Sequence, residues 1–203
     1  MEPVTLVLDS ATARAVCGVV LAGQELAFAS AEGGHAAQRA LVLVDEVLAR
    51  AGCEARDVGQ IVVGCGPGSF TGLRIGIASA RGLALALAVP CCGVSSLAAL
   101  AAGAPGAMAL IDARRGELFA LDSDGAPAVE QPEGVAARLA PGVMCVGDGA
   151  QRYRGLLEDA GAVVPDDLDP RHAPAAVALA GLAANGAPEP VYVRRPDAEP
   201  RVA

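Results

Sequence analysis

The chain has 203 residues, 53% of them hydrophobic, enough for one large domain or two small ones with a sizeable core. A mean hydropathy of +0.44 notwithstanding, Arg and Asp residues break the apolar runs before any reaches the length of a bilayer span. A formal net charge of −8, with 2% aromatic residues and no Trp, excludes a chain that grips nucleic acid alone, because that affinity comes from neutralising phosphates and stacking on bases.

Met1-Glu2-Pro3 offers no positive segment and Asp9 cuts the first apolar run short, so no secretory signal is expected and the cytoplasm is the expected location. Residues 4–8 read as a buried strand ending at Asp9, and residues 15–21 as a second. Ala22-Gly23-Gln24-Glu25 turns the chain into a third strand over residues 26–30. His35 reads as a capping or surface residue before a helix over 36–51. On that helix Leu41, Val44 and Leu48 mark one apolar face, while Val42, Leu43 and Val47 widen it beyond one buried stripe.

Ile61-Val62-Val63 then runs into Gly64-Cys65-Gly66-Pro67-Gly68-Ser69-Phe70-Thr71-Gly72, and a helical pattern follows until Pro90. Such a strand, glycine loop and helix could cradle an anion, with Ser69 or Thr71 capping the helix. A Walker loop would need a lysine, and the sequence has none. The dinucleotide fingerprint is incomplete: Pro67 removes one N–H donor and no acidic residue follows at ribose distance. A nucleophile elbow would need glycines where Pro67 and Thr71 stand. A tight, closely packed turn accounts for the glycines equally well.

Gly72, Gly76 and Ala80 recur at four-residue spacing along this helix, leaving one side nearly bare. Leu73, Ile75, Ile77, Leu83, Leu85 and Leu87 supply more apolar surface than one stripe needs, and Arg74 and Arg81 argue against a membrane span. The two over-apolar helices bury their excess either within the chain or against another subunit. For the second alternative the candidate partner contacts are Leu41, Val44, Leu48, Leu73, Arg74, Gly76, Ile77 and Ala80.

Residues 103–106 mark a boundary between a unit over 1–103 and one over 104–203. Residues 108–111 form an apolar strand ending at Asp112, followed by Arg114-Arg115-Gly116 and a strand over 118–121. The start of the chain is thereby repeated: strand, Asp, turn, strand. Residues 143–146 read as a strand leading through Gly147-Asp148-Gly149 into a helix from about 150. Helices are expected over 133–139, 153–160 and 174–184, with loops at Pro127, Pro132, Pro141 and Pro165. The six cysteines include no C-x-x-C pair and read as small core residues of a reducing compartment. The two histidines lack metal-site spacing.

GPGSFTGLRIGIASARGLALAL resembles the central motif of the bacterial TsaB (YeaZ) proteins, accessory subunits in threonylcarbamoyl modification of transfer RNA. The resemblance extends to LVLDSATARAVCGVVL, GHAAQRALVLVDEVL, GVSSLAALA, ALIDARRGELFAL, CVGDGA and a closing PVYVRR strand, in that order. It implies an α/β, actin-like ATPase (ribonuclease H-like) fold with two similar lobes, as the repeated strand-Asp-turn unit also suggests. In actin-like ATPases such units approach nucleotide phosphate or its metal, which makes Asp9, Ser10, Thr12, Asp112, Gly147 and Gly149 the candidate nucleotide contacts.

The resemblance also implies a non-catalytic subunit that acts with a TsaD-type catalytic subunit and a TsaE-type P-loop ATPase. It would meet tRNA only through that complex, and the excess apolar surface of the two helices predicts a homodimer through them when the chain is alone. The stretch corresponding to TsaD's metal-binding histidines has none here, so no metal and no catalytic residue is expected, and no cofactor of its own. The competing reading is a stand-alone actin-like ATPase or kinase that places Asp9 and Asp112 around ATP or ADP and magnesium.

Overall fold

The structure, a computed structural model, describes residues 3–33, 35–122, 124–184 and 186–193. Alternation of apolar residues builds a central sheet first. Strands β1 (Val4–Asp9), β2 (Arg14–Leu21) and β3 (Gln24–Glu32) form an antiparallel meander. A 3₁₀ turn at Ala36–Arg39 leads into α1 (Ala40–Ala51), so the expected helix begins in two pieces. Strand β4 (Val58–Gly64) lies parallel to β1, and after α2 (Phe70–Leu87) strand β5 (Cys91–Val94) lies parallel to β4. The sheet order is β3-β2-β1-β4-β5.

Period-two alternation sends the side chains of this sheet to two cores. Leu6, Leu8, Cys17, Val19, Ile61 and Val63 meet α1 and α2 on one face. Val7, Val16, Val20 and Val62 meet residues of α3 (Ser96–Gly103) and of the late helix α7 (Ala176–Gly181) on the other.

The second half is smaller. Strand β6 (Met108–Ala109) pairs with β10 (Cys145–Val146), while β7 (Ile111–Arg114), β8 (Glu117–Leu121) and β9 (Pro127–Glu130) form a three-stranded antiparallel sheet. The single strand expected over 108–111 is therefore two. The chain changes pairing partner at Leu110, and Asp112 falls inside β7 rather than at a strand end. Pro127, expected in a loop, opens β9, where an edge strand tolerates a missing donor. Helix α4 (Pro132–Ala137), strand β10 (Cys145–Val146) and helices α5 (Asp148–Arg152), α6 (Arg154–Asp159) and α7 (Ala176–Gly181) complete the order.

The packing does not divide at residue 103. Leu97 and Leu100 of α3 join Ala109, Ile111 and Phe119, and α7 returns to cover β1, β2 and β4 through Ala176 and Leu179. Residues 189–193 adopt no regular strand, and the rest of the expected closing strand lies outside the described residues.

Helix α2 ends on Ala88 in the left-handed region, φ 54°, where a glycine would carry no Cβ penalty. Ala88→Gly is expected to raise stability by about 0.5–1 kcal/mol, read as a higher denaturant midpoint at unchanged slope. An unmoved midpoint would mean that this cap stores no strain.

Candidate functional site

The glycine loop is folded onto the turn after β1. Ser69 N–H donates to Ala11 C=O at 2.7 Å, the Ser10 hydroxyl donates to Gly72 C=O at 2.8 Å, and Gly66 N–H donates to the Ser96 hydroxyl oxygen at 3.0 Å. A Cβ at Gly64 would overlap the Asp9 carboxylate, one at Gly68 the Ala11 carbonyl, and one at Gly72 or Gly76 Ser10. Close backbone approach is thus the reason for the glycines. Ser69 caps α2, accepting from Gly72 N–H at 3.2 Å.

This geometry corrects most of the expected partner contacts. Val44, Leu48, Leu73, Gly76, Ile77 and Ala80 are buried in the chain's own core. At Gly72 and Gly76 the bare stripe of α2 is covered by the β1–β2 turn, which needs a face without side chains to approach, and Ala80 is buried in the same core. Leu41 and Arg74 face outward. The outer surface of the same helix layer carries Leu41, Val42 and, at 84% exposure, Leu85, together with exposed Ala78, Gly82 and Ala86. By length and composition α2 could cross a membrane, but its inner face is packed on the sheet.

The candidate nucleotide contacts are drawn toward one region, but most of their polar groups are already engaged, the Asp9 Oδ2 excepted. Asp9 is buried; its Oδ1 accepts from Ala11 N–H at 2.8 Å, and its Oδ2 has no hydrogen-bond partner among the described residues. Burial pushes its carboxyl up to about 6, against the Ser96 hydroxyl and the Ala11 N–H, with Asp148 adding to the rise. Thr12 closes a local turn on Arg14. Asp112 is ion-paired with Arg114 at 3.1 Å and Arg152 at 3.3 Å. Gly147 and Gly149 face no opening: side chains there would strike the Leu110 and Ile111 backbone, so they let the start of α5 lie against β7.

Sequence reasoning missed two residues here. Asp148 accepts from Ala13 N–H at 2.9 Å through Oδ2 and from Asp112 N–H at 3.0 Å through Oδ1, joining the turn of the first half to the hairpin of the second. A lone Asp before a short helix reads as a cap, and no local pattern reveals a partner 135 residues away. His172 is buried; its Nδ1 accepts from Gly147 N–H at 3.0 Å, leaving Nε2–H to donate to Pro165 C=O at 3.1 Å. Only its apolar surroundings of Ala and Pro hinted at burial. His35 is exposed and caps nothing with its side chain.

Of the clefts beside these groups, two reach Asp112 or Asp148. One of about 640 Å³ lies between the start of α2, the Arg114-Arg115 turn and residues 191–193. In it the Arg74 guanidinium stacks over Phe70 at 3.8 Å and donates to the Tyr192 hydroxyl at 3.2 Å. The other, about 400 Å³, is lined by Thr12, Ala13, Asp148, Gln151 and Arg152. All six cysteines are free, and burial pushes the Cys17 thiol up to about 12 and those of Cys65 and Cys145 to about 11, which makes them poor nucleophiles.

A mixed sheet with three leading antiparallel strands, followed by a smaller strand-Asp-hairpin unit across a cleft, defines an α/β protein of the actin-like ATPase fold. Residues 30–131 match the family model described as TsaD: tRNA N6-adenosine threonylcarbamoyltransferase. An uncharacterized protein of Mycobacterium tuberculosis is 35% identical over 96% of this chain and 93% of its own length. The tRNA threonylcarbamoyladenosine biosynthesis protein TsaB of Escherichia coli is 39% identical over 64% of each chain. The solved structure of YeaZ from Pseudomonas aeruginosa superposes with a TM-score of 0.71 at 31% identity, over 94% of this chain and 99% of that one. The chain belongs to the TsaB/YeaZ family.

Proposed function

We propose that this protein serves tRNA threonylcarbamoyladenosine biosynthesis as a non-catalytic subunit. It docks through the outer surface of α1 and α2 on a TsaD-type catalytic subunit and works in a complex that includes a TsaE-type P-loop ATPase. The complex transfers threonylcarbamoyl from its adenylate to the adenosine beside the anticodon of tRNAs that read codons beginning with A. What the relatives' names carry is the pathway. The observation that supports an accessory role is the unpartnered apolar outer face of α1 and α2, with Leu41 and Val42 more than half exposed and Leu85 at 84%. In the absence of the partner the same face closes a homodimer.

Of the carboxylates an ATPase or kinase would direct at magnesium, Asp112 is paired with two arginines and Asp9 is buried with one oxygen bonded to its own turn, which favours the accessory reading over the enzyme. With a net charge of −8, contact with tRNA comes through the complex. The direct test is reconstitution: the TsaD-type and TsaE-type subunits from the same source should modify tRNA only when this chain is added, and the chain alone should not turn over ATP. ATP turnover by the purified chain, abolished by Asp9→Ala, would replace this reading with the enzyme. Arg74→Ala should weaken binding of the TsaD-type subunit about fivefold or more with the fold intact, measured by calorimetry. An unchanged affinity would remove Arg74 from the contact.

A further inference from the structure

Among the described residues, the Asp148 carboxylate is the acid whose two oxygens bond the two halves of the chain. It stands at the start of α5 in the second half, and its two oxygens each accept a backbone N–H from a different half: Ala13, in the turn after β1, at 2.9 Å, and Asp112, in β7, at 3.0 Å. Ala13 lies in the turn outside the β1–β2 ladder, and Asp112 lies opposite Leu118 on β7, the edge strand of its sheet. One side chain therefore ties Ala13, across the 400 Å³ cleft that Asp148 itself lines, to the β7 backbone behind it, and a carboxylate accepts well at both oxygens only while ionised.

We propose that Asp148 is a charge-dependent latch that holds the two halves closed on this cleft, and that the cleft opens when the carboxylate is neutralised. The proposal goes beyond the docking role and does not depend on it. Protonation turns one oxygen from acceptor to donor, leaving an N–H donor facing a donor.

The charged groups about the latch set how readily that happens. Asp9 on β1 and Asp112 on β7 oppose its ionisation, and Arg114 favours it. Arg152 is tied to Asp112, Arg14 is paired with Glu32, and Asp167 is paired with Arg154. His172 completes the cleft wall with its ring bonded to backbone groups. Burial dominates the balance and raises the Asp148 carboxyl above the usual carboxylate value.

The test is a pH titration of the isotopically labelled full chain from 8 to 4, following the amide protons of Ala13 and Asp112. The expected result is that both move upfield together with one midpoint above the ordinary aspartate value, while the Ala11 amide, bonded to Asp9, follows its own. In Asp148→Asn the shared step should vanish, and hydrogen exchange at Ala13 and Asp112 should quicken by about tenfold or more, with Val7 and Val19 in the central sheet unchanged. Separate midpoints for the two amides, no shared step in the wild type, or unaltered exchange in the variant would overturn the latch. Should the variant not fold, the wild-type titration decides by itself.

Discussion

Gly76→Leu is expected to cost more than about 3 kcal/mol and to leave the chain largely unfolded or aggregated. Even the first added atom, the Cβ, would overlap the Ser10 hydroxyl, and that hydroxyl holds the Gly72 carbonyl at 2.8 Å. A leucine would drive the β1–β2 turn away from α2 and strip the bonds joining Ser10 and Ala11 to the glycine loop. Leucine's better helix propensity, worth up to about 1 kcal/mol over glycine, does not offset this. Gly82→Ala is the control. It lies on the same helix with nothing within 4 Å of its added Cβ, so it should gain roughly 0.5–1 kcal/mol. Denaturant unfolding of the two variants separates the faces. A well-folded Gly76→Leu that had lost only partner binding would show that the stripe faces another subunit after all.

Asp9→Asn is expected to stabilise the protein, by an amount that depends on pH. The native carboxyl sits at about 6, against 3.8 in an unperturbed chain, so the folded state binds the proton more tightly than the unfolded state. Stability contributed by this site is highest below about 4, falls as pH rises through the interval to about 6, and is lost above it, a total on the order of 3 kcal/mol. Asp148, also raised by burial, acts in the same direction. Asp167 and Asp169, held below the usual range by Arg154 and Arg171, act in the opposite direction but below pH 4, where the windows do not overlap.

In Asp9→Asn the amide oxygen can keep the Ala11 bond. The amide nitrogen takes the place of the unpartnered Oδ2 near the Ser96 hydroxyl, a group able to accept from it. The variant should therefore be about 2–3 kcal/mol more stable than wild type at pH 8 and nearly equal to it at pH 4. A loss of stability at pH 8 would mean that Oδ2 has an essential partner.

The strands, the glycine loop and the fold class were legible because each depends on local signals. Near-continuous apolar runs such as Thr5-Leu6-Val7-Leu8 specify two buried faces, and glycines between a strand and a helix specify close approach. What covers a bare face is not local. Gly72, Gly76 and Ala80 ask for something close, and the sequence does not say whether that is another subunit or a turn more than 60 residues earlier.

The same limit hid Asp148, whose two donors are 135 and 36 residues away. The split between β6 and β7 was hidden because an unbroken apolar run carries no mark of where the chain changes pairing partner. The apolar residues of α1 and α2 exceed what one face needs. Of the expected contacts Leu41 and Arg74 face outward, while the sequence does not single out Leu85, because Leu41 and Leu85 differ from Val44 and Leu73 only in what lies beside them.

The most direct measurement of the docking role is the molar mass of the purified chain by light scattering, alone and mixed with the TsaD-type subunit, for the wild type and for Leu85→Asp. The expected result is a wild-type homodimer that exchanges into a one-to-one heterodimer, with both associations lost in a folded Leu85→Asp. A monomer indifferent to the TsaD-type subunit, or a Leu85→Asp variant that associates like the wild type, would contradict docking through the outer face of α1 and α2.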